Sequence, residues 1–204
     1  MSIFLHRAGL LNINVGGGGG AATRSVLFTD NFNRANQTLQ TSADWTKNTV
    51  DDDANISSNV LEGTPAGFPA DEYIATVNSI SPNNDQYVEF EVATSGGFLE
   101  FGGVVARFTD TDNFYGLREE GGDLVLILRV TALGQGALWT YSSDFGSVSP
   151  GDVCSLEIVG TTLKVFVNGV EVYQRIDTDL SSGDVGVWFE GPVQIDNFEA
   201  GNMV

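Results

Sequence analysis

Cysteine occurs once, at Cys154, and histidine once, at His6. A single cysteine excludes an intramolecular disulfide, so the fold must be held by packing. A single histidine excludes Ser-His-Asp catalysis and histidine-rich metal hydrolysis in the body of the chain, because neutral-pH proton transfer and metal ligation rest on imidazole. Positive charge is scarce: nine Lys and Arg stand against 27 Asp and Glu, for a net charge of −18. A phosphate backbone would be repelled, which excludes nucleic acid as a partner. No apolar run is long enough for a transmembrane helix, and membrane insertion is not expected. Residues 1–15 lack the apolar block and small-residue cleavage site of a secretory signal, so synthesis in a cytoplasm without a signal peptide is expected.

What is present is a β pattern. The 204 residues are 42% hydrophobic and include 13 Phe, enough for one sheet-on-sheet core. From Ser25 onward, short runs of β-branched and aromatic residues alternate with Gly, Asn, Asp, Ser and Pro clusters about every ten residues. Strands are predicted at 26–28, 48–50, 60–61, 73–77, 86–93, 102–109, 113–119, 124–131, 137–141, 153–159, 162–167, 170–173, 185–190 and 193–199. In Tyr87-Val88-Glu89-Phe90-Glu91-Val92 the alternation sends Val88, Phe90 and Val92 inward and both glutamates outward. Asn168-Gly169 predicts a tight hairpin turn, and Glu120-Gly121-Gly122-Asp123 a second. Cys154 reads as a buried strand residue, and Trp188 as half-buried.

Residues 1–24 differ from the rest. Ile3, Phe4, Leu5, His6, Arg7, Leu10 and Leu11 precede five consecutive glycines, Gly16 to Gly20. The segment reads as an anchoring arm on a linker, since its apolar side chains need a counter-surface. The sandwich is then expected over 25–204.

Several motifs fall in the order of a known family. Asp30-Asn31-Phe32-Asn33-Arg34 followed by Trp45 resembles the D-x-F-x-R opening of concanavalin A-like, laminin G-like domains. Ala106-Arg107-Phe108-Thr109-Asp110 with Asn113-Phe114-Tyr115 resembles their ARFTD…NFY hairpin, Leu163 to Gly169 their LKVYVNG strand and turn, and Ile195 to Ala200 their closing strand. The resemblance implies an all-β, antiparallel two-sheet jelly-roll sandwich with a groove or loop rim where relatives bind sugars or calcium. The apolar arm and glycine run also resemble tailed-bacteriophage virion proteins. That likeness implies a structural or adhesion protein at the virion surface, in a capsid-decorating, fibre or tail position. It would be held to other virion proteins through the arm and be a homo-oligomer. A free carbohydrate-binding lectin module is the alternative, with a glycoside hydrolase or lyase behind it.

Catalysis is not expected. Retaining glucanases need two carboxylates about 5 Å apart across the scissile bond, and Glu89 and Glu91 lack the E-x-D-x-E spacing of those on this scaffold. For a glycan, stacking faces and polar partners are sought in Trp45, Tyr115, Arg118, Trp139 and Tyr141. For calcium, Asp51, Asp52, Asp53 and Asn55 gather four oxygen donors in five positions, without the spacing of an EF-hand. Asp110, Asp112 and Asn113 form a second, shorter cluster.

Overall fold

The computed structural model describes residues 22–49, 53–64, 72–97, 100–130 and 145–204. Fifteen strands are described: β1 (Arg24–Asp30), β2 (Gln37–Thr38), β3 (Trp45–Lys47), β4 (Ala54–Ser57), β5 (Val60–Gly63), β6 (Tyr73–Val77), β7 (Gln86–Thr94), β8 (Phe101–Asp110), β9 (Asn113–Glu120), β10 (Asp123–Val130), β11 (Val153–Val159), β12 (Thr162–Val167), β13 (Val170–Ile176), β14 (Asp184–Glu190) and β15 (Gln194–Met203). They form two antiparallel sheets. The larger runs β13-β12-β11-β7-β15-β5-β4-β2, with β1 also paired to β15, and the smaller runs β10-β9-β8-β14-β6-β3.

The core lies between the sheets, and the alternation read from the sequence sets which side chains enter it. Val88, Phe90 and Val92 of β7 are buried, while Glu89 and Glu91 point away. Each such side chain contributes roughly 1.5–3 kcal/mol on burial. Both expected turns form: Asn168 and Gly169 have φ of 52° and 76°, and Gly121 and Gly122 have 62° and 91°. Left-handed backbone at both central residues matches the twist of the flanking strands. Cys154 is buried, and its thiol is pushed up to about 12 by desolvation and then by the carboxylates of Asp152, Glu89 and Glu119.

Two readings need correction. Where a strand was predicted at 48–50, the described strand lies earlier, at Trp45–Lys47, because Trp45 is the residue the core takes; Asn48 follows it, donating its N–H to the Ile74 carbonyl at 2.8 Å and its amide to Thr46 and Thr76. Trp188 is fully buried, not half-buried, within a second buried apolar cluster on the smaller sheet. There Phe101, Phe114 and Trp188 meet at centroid distances of 4.5 and 5.1 Å. Gly116 is required beneath them, as a Cβ would stand 2.7 Å from the indole. The strand predicted at 137–141 lies outside the described residues.

The two ends of the described chain meet. Thr23 N–H donates to the Val204 carbonyl at 2.7 Å, and Val204 N–H to that of Thr23 at 2.8 Å. Arg24, expected in the arm, is part of the body. Its guanidinium lies 4.6 Å from the Tyr87 ring centroid and donates to Glu89, Glu157 and Ser155 across the outer face of the larger sheet.

Candidate functional site

Strand β8 loses register with β9 between Ala106 and Asp110, and with β14 between Asp184 and Gly186. At the centre of this bulge Arg107 takes φ 47°, an uncommon conformation for a non-glycine residue that a bulge can impose. Its side chain is consequently turned to the end of the sandwich and buried there. The guanidinium donates to the carbonyls of Leu180 at 2.6 Å, Gly160 at 2.7 Å and Asn84 at 2.8 Å. One cation thus ties three separate loops. Gln86, also buried, accepts from Arg107 N–H and donates to the carbonyls of Asn83 and Gly183. Burial pulls the Arg107 guanidinium below the usual arginine value, while Tyr115, Asp85 and Asp177 push it up.

From beneath, Tyr115 donates its hydroxyl to Asp177 at 2.6 Å and accepts the Leu180 N–H at 2.9 Å. Burial and that bond to Asp177 raise the phenol well above its ordinary range. Asp85 accepts the Gly160 N–H at 2.7 Å, closing the other side. These bonds fix the walls of a cleft of about 790 Å³ over Arg107, a volume within the range of small-ligand sites. Pro82, Leu180 and Met203 give it apolar surface. Asn83, Asn84, Thr161, Thr178 and Ser181 line it, all exposed, and among the described residues none of their side chains makes a hydrogen bond. The backbone of the rim is committed to holding shape; its amide and hydroxyl side chains are uncommitted.

The sequence-predicted sites fall elsewhere. Trp45 is a core residue, not a platform: it packs on Phe28, Phe32 and Phe198, and its indole N–H donates to Asp30 at 3.0 Å. Asp30 also accepts the Phe32 N–H and both terminal nitrogens of Arg34, so the D-x-F-x-R element is a structural knot. Tyr115 is buried under the cleft and its hydroxyl is spent on Asp177 and Leu180, which corrects its reading as a surface sugar contact. Arg118 is buried too, bonded to Glu120 at 2.6 Å and seated 3.7 Å from the Phe101 ring centroid, far from any open surface role. Trp139 and Tyr141 lie outside the described residues, as do Asp51 and Asp52 and the arm residues Ile3, Phe4, Leu5, His6, Arg7, Leu10 and Leu11.

Of the four oxygen donors read as a calcium cluster, only Asp53 and Asn55 lie among the described residues, and each has other partners there. Asp53 accepts from Lys47 at 2.8 Å, a cation already in place, and Asn55 sits on β4 between Thr38 and Glu62. The described residues hold no group of three or more metal-ligating side chains. At the other cluster, Asp110 caps its own turn by accepting from Asp112 N–H and the Asn113 amide. Glu89 and Glu91 share a face as read, but Glu89 is ion-paired to Arg24 and Glu91 accepts from Asn197 at 2.8 Å. In a depression of about 380 Å³ beside Glu89, that glutamate is engaged by the same pairing and Glu199 by the Tyr87 hydroxyl.

No family model matches the sequence, and no curated protein does. Solved structures do match. A protein of unknown function with galectin-like fold from Bacillus subtilis superposes with a TM-score of 0.60 at 10% identity, over 90% of this chain and 99% of that one. The fold is a concanavalin A-like jelly roll. A carbohydrate binding module, CBM66, from Bacillus subtilis gives 0.56 at 14% identity over 78% of this chain and 93% of its own. The endo-β-1,3-glucanase of Pyrococcus furiosus gives 0.58 at 9%, over 89% and 95%. This jelly roll is shared by binders and by hydrolases, so function has to come from the site.

Proposed function

We propose that this jelly roll is a non-catalytic glycan-binding protein whose ligand lies in the cleft over Arg107. The supporting observation is the set of five uncommitted side chains on a rigid rim. Sugar hydroxyls need donors and acceptors of this kind, and a rim fixed in advance spares the ordering cost of binding. What supports the non-catalytic reading is that Glu89 and Glu91, the pair that shares a strand face, are each held by a neighbouring side chain. The ligand is a neutral glycan. Arg107 has its donors on carbonyls, Asp85 is in the lining, and a net charge of −18 repels sialylated or sulfated chains.

Glycan-array binding of the full chain tests this. Neutral glycans should be retained, and Asn84→Ala combined with Thr161→Val should weaken binding about tenfold, or about 1.4 kcal/mol. Binding that is absent, or unchanged in the double variant, overturns the assignment. Attachment of the body to a virion through the arm is the second part of the proposal. It draws on Arg24, whose bonds to two strands, β7 and β11, would pass a pull on the arm into the sheet. Removing residues 1–21 should leave glycan binding intact and abolish co-sedimentation with particles.

A further inference from the structure

Strand β13 (Val170–Ile176) ends the larger sheet, and among the described residues only β12 pairs with it. An unprotected strand edge offers a row of backbone donors and acceptors to another strand, and proteins commonly blunt it with charge. This edge carries Glu171 and Arg175, but exposed apolar side chains stand among them. Val170 is 64% exposed, Val172 37% and Ile176 70%, three of the few large apolar side chains in the body that face water. Its electrostatics also differ from the rest of the molecule. Lys164 of β12, 36% exposed, pairs with Glu171, and Arg175, 34% exposed, lies 3.7 Å from Asp177. These are the most exposed cations in the described ion pairs of a chain with net charge −18. Charge along this edge is therefore locally balanced, which lessens the repulsion a second copy would meet.

The strand also fits its own copy in one register. Beyond the irregularity at Val172, residues 173–176 alternate regularly: Tyr173 and Arg175 oppose the inward Val165 and Leu163, whereas Gln174 and Ile176 oppose Lys164 and Thr162 on the outer face. Antiparallel partners must share a face. A two-fold axis at Arg175 would set that cation against itself. An axis at Tyr173 would set Arg175, on the inner face, against Glu171, whose carboxylate is on the outer face with Lys164. An axis at Gln174 sets amide against amide, and exposed Ile176 against exposed Val172, twice.

We propose that two copies associate through β13, antiparallel about Gln174, to give one continuous sheet. A closed two-fold contact of this kind uses the same patch on both copies and leaves no edge for further growth. Sedimentation and cross-linking of the full chain test it. The wild type is expected to sediment as a dimer at micromolar concentration, and more completely as added salt screens the overall repulsion. Val172→Lys with Ile176→Lys should give a monomer with unchanged circular dichroism, while Val26→Lys, at an apolar site on β1 whose exposure lies between those two, should stay dimeric. Gln174→Cys should form a reducible covalent dimer and Lys164→Cys should not; native Cys154 is buried and gives no background. A wild type that is monomeric throughout, or a dimer that survives the double lysine variant, overturns the interface. A dimer in which Gln174→Cys does not cross-link overturns the register. Capture of an extended segment of a different protein by a monomeric chain would assign the edge to that partner instead.

Discussion

Glu119 shows how a carboxylate can be buried without chemistry. It has no exposed surface, and it accepts the N–H of Gly122 at 2.6 Å and of Gly96 at 3.0 Å, one on each oxygen. Desolvation raises its pKa, and the two backbone donors oppose the rise. The folded state therefore keeps a proton that the unfolded chain has already released. Stability contributed by this group is present below the ordinary glutamate value and is lost as pH rises through the raised one. Glu119→Gln should cost about 1–3 kcal/mol, because the amide nitrogen would face an N–H donor. That cost should be largest in acid and shrink toward neutral pH, as urea titrations of both proteins at several pH values would show. Residue type does not distinguish Glu119 from Glu120, its neighbour. Alternation puts Glu119 on the core face with Tyr115 and Leu117, but only the assembled turns reveal the two N–H groups that accept it there.

At the level of elements, the legible parts were those with local causes. Asn168-Gly169 and Gly121-Gly122 dictate their turns through backbone freedom, and Val88, Phe90 and Val92 dictate their face through period two. Ser58 and Asn59 make the same left-handed turn between β4 and β5, yet carry no glycine to announce it, and β4 went unread. The site was less legible than the fold because its makers are far apart in sequence: the Asn84, Gly160 and Leu180 carbonyls meet on Arg107 only once the chain has folded. A clue existed, a lone arginine inside the apolar run Val104–Phe108. The aromatic candidates failed for a physical reason, since Trp45 and Tyr115 have interior partners for both ring and polar tip. Arg107→Lys should bear out the role of the fork: an ammonium keeps the charge but cannot span three carbonyls. Losing two of those bonds should cost about 2–4 kcal/mol, seen as a lower denaturation midpoint with unchanged cooperativity, and should weaken glycan binding by loosening the rim.

For the whole molecule, charge and closure act together. An acidic body of this strength stays dispersed through self-repulsion, which confines association to places such as β13 where charge is locally balanced. Closure enters through the paired ends, Thr23 against Val204. Because both leave the sheet side by side, the linear order of the strands is to that extent arbitrary. A circular permutant, with residues 204 and 23 joined by a short glycine-containing link and new termini opened between Asn168 and Gly169, should fold to the same far-ultraviolet spectrum and keep the cleft. By the same geometry the body could sit inside a loop of a host protein without prying its ends apart.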